Sequence, residues 1–139
     1  MNIRKLQNRD LEEINKIQKE RKFKEIHYNL EGPYCKWVFF GAFEGDELVS
    51  IIGLFSYNRL PHKDYPNGRV AEMGGLYTKP KYRNKKIATK LIEAIFEYAK
   101  VRMTLDAIVV DSTDFTCRVL EDLGFINSTE HRQWFILNQ

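Results

Sequence analysis

The sequence predicts a layered α/β fold with mixed strand directions, and three observations carry that expectation. A strongly periodic helix from Asn84 to about Val101 follows closely on an apolar strand from Arg69 to Thr78. Two apolar, β-branched and aromatic runs, Tyr34 to Phe43 and Glu47 to Tyr57, flank the turn signal Glu44-Gly45-Asp46 and read as a hairpin. Helices and strands then alternate through the second half, which places helices on the faces of a sheet.

Asn2 to Leu6 alternates apolar and polar residues and reads as a short first strand. Asp10 is an N-cap candidate, with Glu13 completing a capping-box pattern. Leu11, Ile14 and Ile17 share one helical face, so the helix runs to about Lys22. Phe23 to Leu30 reads as a second short helix, broken by Gly32-Pro33. Asn58 to Gly68 contains Pro61 and Pro66 and reads as a long loop, either a contact for an acceptor substrate or an inert surface excursion.

Gly74-Gly75 interrupts the strand from Arg69 to Thr78. Glycine weakens a strand interior, so it marks a bulge or a close backbone approach. In the helix that follows, Ile87, Leu91, Ile95 and Ala99 recur every fourth residue, Ile92 and Phe96 widen the stripe, and charged residues fill the other faces. Asp106 to Val110 reads as a buried strand. Thr113 to Leu123 reads as a helix with Val119, Leu120 and Leu123 inward, stopped by Gly124. Phe125 to Asn127 and Arg132 to Leu137 are the last strand candidates.

A length of 139 residues suits one domain, 1–139, with a core of its own. A net charge of +3 is too mild to point to nucleic acid, but it suits a small anionic ligand held at one patch. Cys35 and Cys117 lack the CxxC spacing of a zinc or redox pair and read as reduced thiols of a reducing cytosol. The three histidines, His27, His62 and His131, are scattered without ligand spacing, so no metal is expected. The N-terminal MNIRKLQNRD has no apolar signal region, and no apolar run reaches membrane-spanning length. A cytoplasmic protein without a membrane partner is expected.

The stretch with most chemistry in it is LYTKPKYRNKKIA, Leu76 to Ala88. A strand that ends in a cationic turn, which then opens a helix, suits a phosphate. The first helical amides lack partners and the helix dipole favours negative charge there. Arg83, Lys85 and Lys86 add mobile positive charge, although a run of this kind is ordinarily a solvated face.

Two blocks of the chain resemble the GNAT superfamily of N-acetyltransferases. LYTKPKYRNKKIATKLI is similar to that family's strand, pyrophosphate loop and helix, written Q/R-x-x-G-x-G/A. Arg83 matches the first position and Ala88 the last, while Lys86 replaces the middle glycine. STDFTCRVLEDLGF, Ser112 to Phe125, resembles the later strand-helix motif ending in leucine-glycine-phenylalanine. The resemblance implies a mixed, mostly antiparallel central sheet flanked by helices. It also implies a cofactor cleft splayed between the fourth and fifth strands, Arg69 to Thr78 and Asp106 to Val110.

It further implies acetyl transfer from acetyl-coenzyme A to a primary amine of a small molecule, peptide or protein, with no metal and with a homodimer possible. The pyrophosphate would lie on Arg83, Asn84, Lys85, Lys86, Ile87, Ala88 and Thr89, and the pantetheine arm along Leu76, Tyr77 and Thr78 and against Thr113. A Lys86 forced to positive φ would be strained by roughly 1–2 kcal/mol. The side chain of Tyr77 reads equally as a packed tyrosine, and Thr113-Asp114 as a helix cap.

An amine acceptor is normally protonated and must lose a proton before it attacks. Glu72 is the candidate catalytic base, with a solvent-facing carboxylate or an ion pair to Arg69 as its other readings. The tyrosine that in this family often protonates the leaving thiolate is replaced by Leu120. That loss leaves a non-catalytic acyl-coenzyme A-binding regulatory module as the alternative.

Overall fold

The computed structural model describes residues 1–111, 117–127 and 132–136. In chain order the elements are β1 (Asn2–Lys5), a 3-10 turn (Asn8–Asp10), α1 (Leu11–Glu20), β2 (Trp37–Glu44), β3 (Glu47–Asn58), β4 (Arg69–Thr78), a second 3-10 turn (Pro80–Tyr82), α2 (Ile87–Arg102), β5 (Ala107–Asp111), α3 (Cys117–Asp122), β6 (Ile126–Asn127) and β7 (Arg132–Ile136).

The described strands form one sheet in the order β1-β2-β3-β4-β5-β7-β6. Every neighbouring pair is antiparallel except β4 and β5, which run parallel. The expected mixed, mostly antiparallel sheet with helices on its faces is therefore present. α2 makes the long return from the end of β4 to the start of β5, the crossover that a parallel pair requires.

Apolar side chains fill both faces of the sheet. On one face Ile87, Leu91, Ile95 and Ala99 of α2 pack on Ile52, Leu54, Ala71, Met73 and Ile108. On the other, Ile14 and Ile17 of α1 pack on Phe39, Leu48 and Ile51. The periodic stripes of both helices thus meet the sheet as their spacing predicts.

Two local expectations fail. Phe23 to Leu30 is not helical. Side-chain amides take over its backbone: Asn15 accepts from the Ile26 amide at 2.7 Å and donates to the Ile26 carbonyl at 3.0 Å, while Gln18 donates to the Lys24 carbonyl at 3.0 Å. Asn8 accepts from the Leu30 amide at 2.7 Å. A segment satisfied from outside has no need of a helical ladder.

The second failure is the Asp10–Glu13 capping box. Asp10 instead reaches back to the Gln7 amide at 2.8 Å and pairs through both oxygens with Arg4, each at 2.8 Å. Glu13 accepts from the Leu48 amide at 3.1 Å and pairs with Lys16. Partners outside the capping pattern thus take both carboxylates.

Candidate functional site

β4 is the element on which the site is built. Its parallel pairing with β5 covers only Val70–Met73 against Ala107–Val110, and among the described residues it stops there. On its other edge the register passes from Gly53↔Gly74 to Ile51↔Tyr77, so β4 carries one residue more than β3 across that interval. This is the bulge expected at Gly74-Gly75. Gly75 sits at φ +68°, where glycine has no Cβ penalty. Among the described residues the pairing with β5 thus ends just before the bulge, and Leu76, Tyr77 and Thr78 lie beyond that end.

Side chains tie this end of the strand to α1 and β3. Arg21, at the end of α1, donates to the Gly75 carbonyl at 2.8 Å and is itself held by Gln18 at 2.6 and 2.9 Å. Burial lowers the Arg21 pKa, which the nearby Tyr77 phenol opposes. Ser50, fully buried, donates to the Tyr77 carbonyl at 3.0 Å and shares a 2.8 Å hydrogen bond with the Thr78 hydroxyl. The Tyr77 ring lies against the core beside α1, with the guanidinium groups of Arg21 and Arg83 at 5.6 and 5.5 Å from its centre. The packed reading of Tyr77 holds for its side chain.

The turn from Lys79 into α2 has unusual backbone. Asn84 and Lys86 both adopt positive φ, +64° and +62°. Lys86 is the N-cap residue of α2, and its side chain makes no capping hydrogen bond. The amides of Ile87, Ala88 and Thr89, in the first helical turn, lack intrahelical partners by geometry and point out of the helix mouth. The strain expected if lysine entered the left-handed region therefore applies, at about 1–2 kcal/mol.

Charge around this mouth differs in part from the expectation of mobile cations. Arg83 is anchored, its Nε donating to the Thr78 carbonyl at 2.8 Å. Lys79 pairs with Glu47 at 3.0 Å. Lys81 and Lys85 lie 5.6 and 5.8 Å from the centre of the Tyr82 ring. A cleft of about 440 Å³ opens here, walled by Leu76, Tyr77, Thr78, Arg83, Asn84, Lys86, Ile87 and Ala88 together with Tyr82. Eight residues singled out in the sequence thus meet in one cleft; Lys85 and Thr89 adjoin it in the chain, and Thr113 lies outside the described residues.

Glu72 is half-buried on β4, level with Phe55 of β3 and Val109 of β5. Its neighbours Ala71 and Met73 enter the core beneath α2, so Glu72 faces the side of the sheet that carries α1. On that side the segment after α1 crosses the sheet and leaves a second hollow of about 420 Å³, lined by Tyr28, Tyr34, Trp37 and Phe55 among others. Leu120, at the position of the family tyrosine, is fully buried in the core beneath α2.

The loop after β3 does not meet this hollow. It folds on itself through a bridge between His62 and Tyr65, whose rings stack at 5.1 Å. Gly68 closes it at φ +68°, where any Cβ would collide with the Arg59 carbonyl oxygen. Sequence reasoning missed Arg21, Ser50 and Tyr82. Arg21 carries no local signal, since it acts on a carbonyl of a strand 54 residues away.

The family model for the acetyltransferase (GNAT) family matches residues 1–125. The chain belongs to the GNAT acetyltransferase family. Among solved structures, a predicted acetyltransferase from Clostridium acetobutylicum determined with acetyl-CoA is 20% identical, with a TM-score of 0.71 over 99% of this chain and 95% of that one. Arabidopsis thaliana NAA60 in complex with a bisubstrate analogue is 15% identical, with a TM-score of 0.67 over 99% of both chains. A mutant of spermidine N-acetyltransferase SpeG from Vibrio cholerae is 16% identical, with a TM-score of 0.64 over 98% of this chain and 95% of that one. At these identities the likeness is one of fold. No curated protein matches the chain.

Proposed function

We propose that this chain, as one catalytic unit over residues 1–139, transfers an acetyl group from acetyl-coenzyme A to a primary amine by direct attack in a ternary complex. The observation that carries the reading is the start of α2, where Lys86 makes no side-chain cap, opening onto a cleft beside a strand whose described pairing with β5 ends at Met73. A diphosphate fits there: backbone amides and a helix dipole supply its counter-charge without a metal. Left-handed backbone at Asn84 and Lys86 turns the chain sharply into the helix, and Lys86 keeps the amide that the family's glycine would offer. Beyond Met73, where the described pairing with β5 ends, the backbone of β4 receives an extended arm in this reading, in the manner of strand addition.

Acetyl-coenzyme A supplies an activated thioester. The chain's own part is to orient the acceptor and manage its proton. Glu72, half-buried on the strand that guides the arm, takes the amine proton. Leu120 offers no proton to the leaving thiolate from within the core, so that proton comes from solvent or from a neighbouring polar group. The acceptor is a small-molecule amine or the amine of a peptide or protein, and the setting is cytoplasmic; a homodimer is compatible with the proposal. Among the described residues no helix is long and apolar enough to cross a membrane, and no cluster of ligating side chains could hold a metal.

Calorimetric titration with coenzyme A tests the donor half: saturable binding below millimolar ligand is expected, and its absence ends the proposal. Glu72→Gln should lower turnover about a hundredfold or more, chiefly at the acid end of the pH–rate profile, where the acceptor most needs a base. An unchanged profile removes Glu72 from the mechanism. Burial of Leu120 keeps the regulatory alternative alive, and tight coenzyme A binding without turnover on any amine would favour it.

A further inference from the structure

The hollow beside Glu72 has a definite chemistry. Tyr28, Tyr34, Trp37 and Phe55 line it with Pro33, and among the described residues Lys36 is the one charged residue on its wall. Of its lining rings, Trp37 and Phe55 meet tilted with centres 5.0 Å apart, and Trp37 also stacks on Phe39 at 5.2 Å. At its rim Tyr34 is 93% exposed and Tyr28 45% exposed, two large rings left open to solvent. Its volume, about 420 Å³, is that of a small-molecule site.

Position ties the hollow to the chemistry. Phe55 stands directly opposite Glu72 in the antiparallel register, on the same face of the sheet. Side chains so paired have Cβ atoms about 5 Å apart. The cleft at the mouth of α2 meets β4 at Leu76, four residues further on and just past the bulge. One strand therefore joins the two cavities, with the carboxylate at the end nearer the aromatic hollow.

Resting on the acetyltransferase reading, we propose that this hollow binds the acceptor and selects a primary amine carried on an aromatic body. A ring seated between Tyr34 and Trp37 gains apolar burial and ring–ring contact, and its amine then faces Glu72. Among the described lining residues a polyamine finds no carboxylate; Glu72 can meet only one of its amines, and Lys36 repels the others. Aromatic amines occur free or as the N-terminal residue of a peptide, so both sources enter the test.

The test uses the full chain saturated with coenzyme A and three probes: 2-phenylethylamine, a tripeptide with N-terminal phenylalanine, and spermidine. Calorimetry reads amine binding directly, so it stands even if no acetyl group is transferred, and a separate coenzyme A titration reports on the underlying reading. An aromatic probe should bind at least about tenfold more tightly than spermidine, and which one prevails identifies the source. Tyr34→Ser alters a side chain in water and should leave the fold intact. It should weaken the preferred aromatic probe about three- to tenfold, in Kd and in KM, with the KM for acetyl-coenzyme A unchanged. Lys36→Glu should narrow the gap to spermidine. Spermidine binding equal to or tighter than both aromatic probes overturns the proposal, as does an aromatic preference that Tyr34→Ser does not move, or coenzyme A binding with no aromatic probe bound.

Discussion

Lys86 is the residue at which local preference and site geometry disagree most openly. A lysine at φ +62° is held there by the turn on one side and the helix on the other. Lys86→Gly should raise stability by up to about 1 kcal/mol, the relief of left-handed strain offset by glycine's greater unfolded-state freedom. Urea denaturation measures that gain. The same substitution should weaken coenzyme A binding modestly, since it removes a charge near a diphosphate while sparing the amide. Greater stability together with weaker binding would identify Lys86 as strain retained for its charge. The two positive-φ residues, Asn84 and Lys86, also show why the motif survives without its glycine: the conformation is required here and the residue type only eases it.

At the scale of an element, β4 does three jobs along ten residues. Its first part pairs on both edges and closes the core, its middle bulges against β3, and its last part walls the cleft. Gly74 and Gly75 separate these roles. An added Cβ meets open space at either, but only Gly75 has positive φ. Gly75→Ala should therefore cost about 1–2 kcal/mol and Gly74→Ala within about 0.5 kcal/mol of nothing, read from urea midpoints. Equal costs at the two positions would mean that the bulge relaxes. Arg21 belongs to this element as much as to α1, because its guanidinium fixes the carbonyl at the crest of the bulge.

For the whole molecule, three carboxylates tie distant parts of the chain together. Asp106 is buried, yet the Arg69 amide at 3.1 Å and the Asn67 amide and side chain at 2.8 and 3.1 Å outweigh burial and hold its pKa below the usual range. Arg4 lowers the Asp10 pKa against the opposing effect of burial. At Glu13 burial is the largest influence and acts upward, but Lys16 and the Leu48 amide together prevail and lower it. Lowered folded-state values mean that this stability is present above the unfolded carboxylate pKa, near about pH 4, and is lost as pH falls through the folded ones. Urea midpoints should hold level near neutrality and drop below about pH 4. Asp106→Asn should be less stable near neutrality and lose less on acidification than the parent. A parallel acid profile would show that Asp106 contributes nothing to the slope.

Much of the architecture was legible before any coordinates. The stripes at Ile14 and Ile17 and from Ile87 to Ala99, the hairpin at Gly45 and the glycine pair at Gly74-Gly75 each state a local rule of period, turn or backbone freedom. Neighbours three or four residues apart can satisfy such rules by themselves. The cationic turn before α2 was legible for the same reason, since a helix start exposes its own amides whatever surrounds it. The rest depended on partners far away in the chain. Asn15 and Gln18 drew Phe23 to Leu30 out of a helix, Arg4 and Leu48 took the carboxylates of a capping box, and Thr78 fixed an arginine that looked free. The aromatic hollow beside Glu72 is of this second kind. Tyr28, Tyr34, Trp37 and Phe55 share no spacing that marks a site, and they converge because strand register brings Phe55 level with Glu72 while the chain after α1 crosses the same face. Local periodicity is written in short-range order, whereas a cavity is made by long-range contacts that no window of sequence contains.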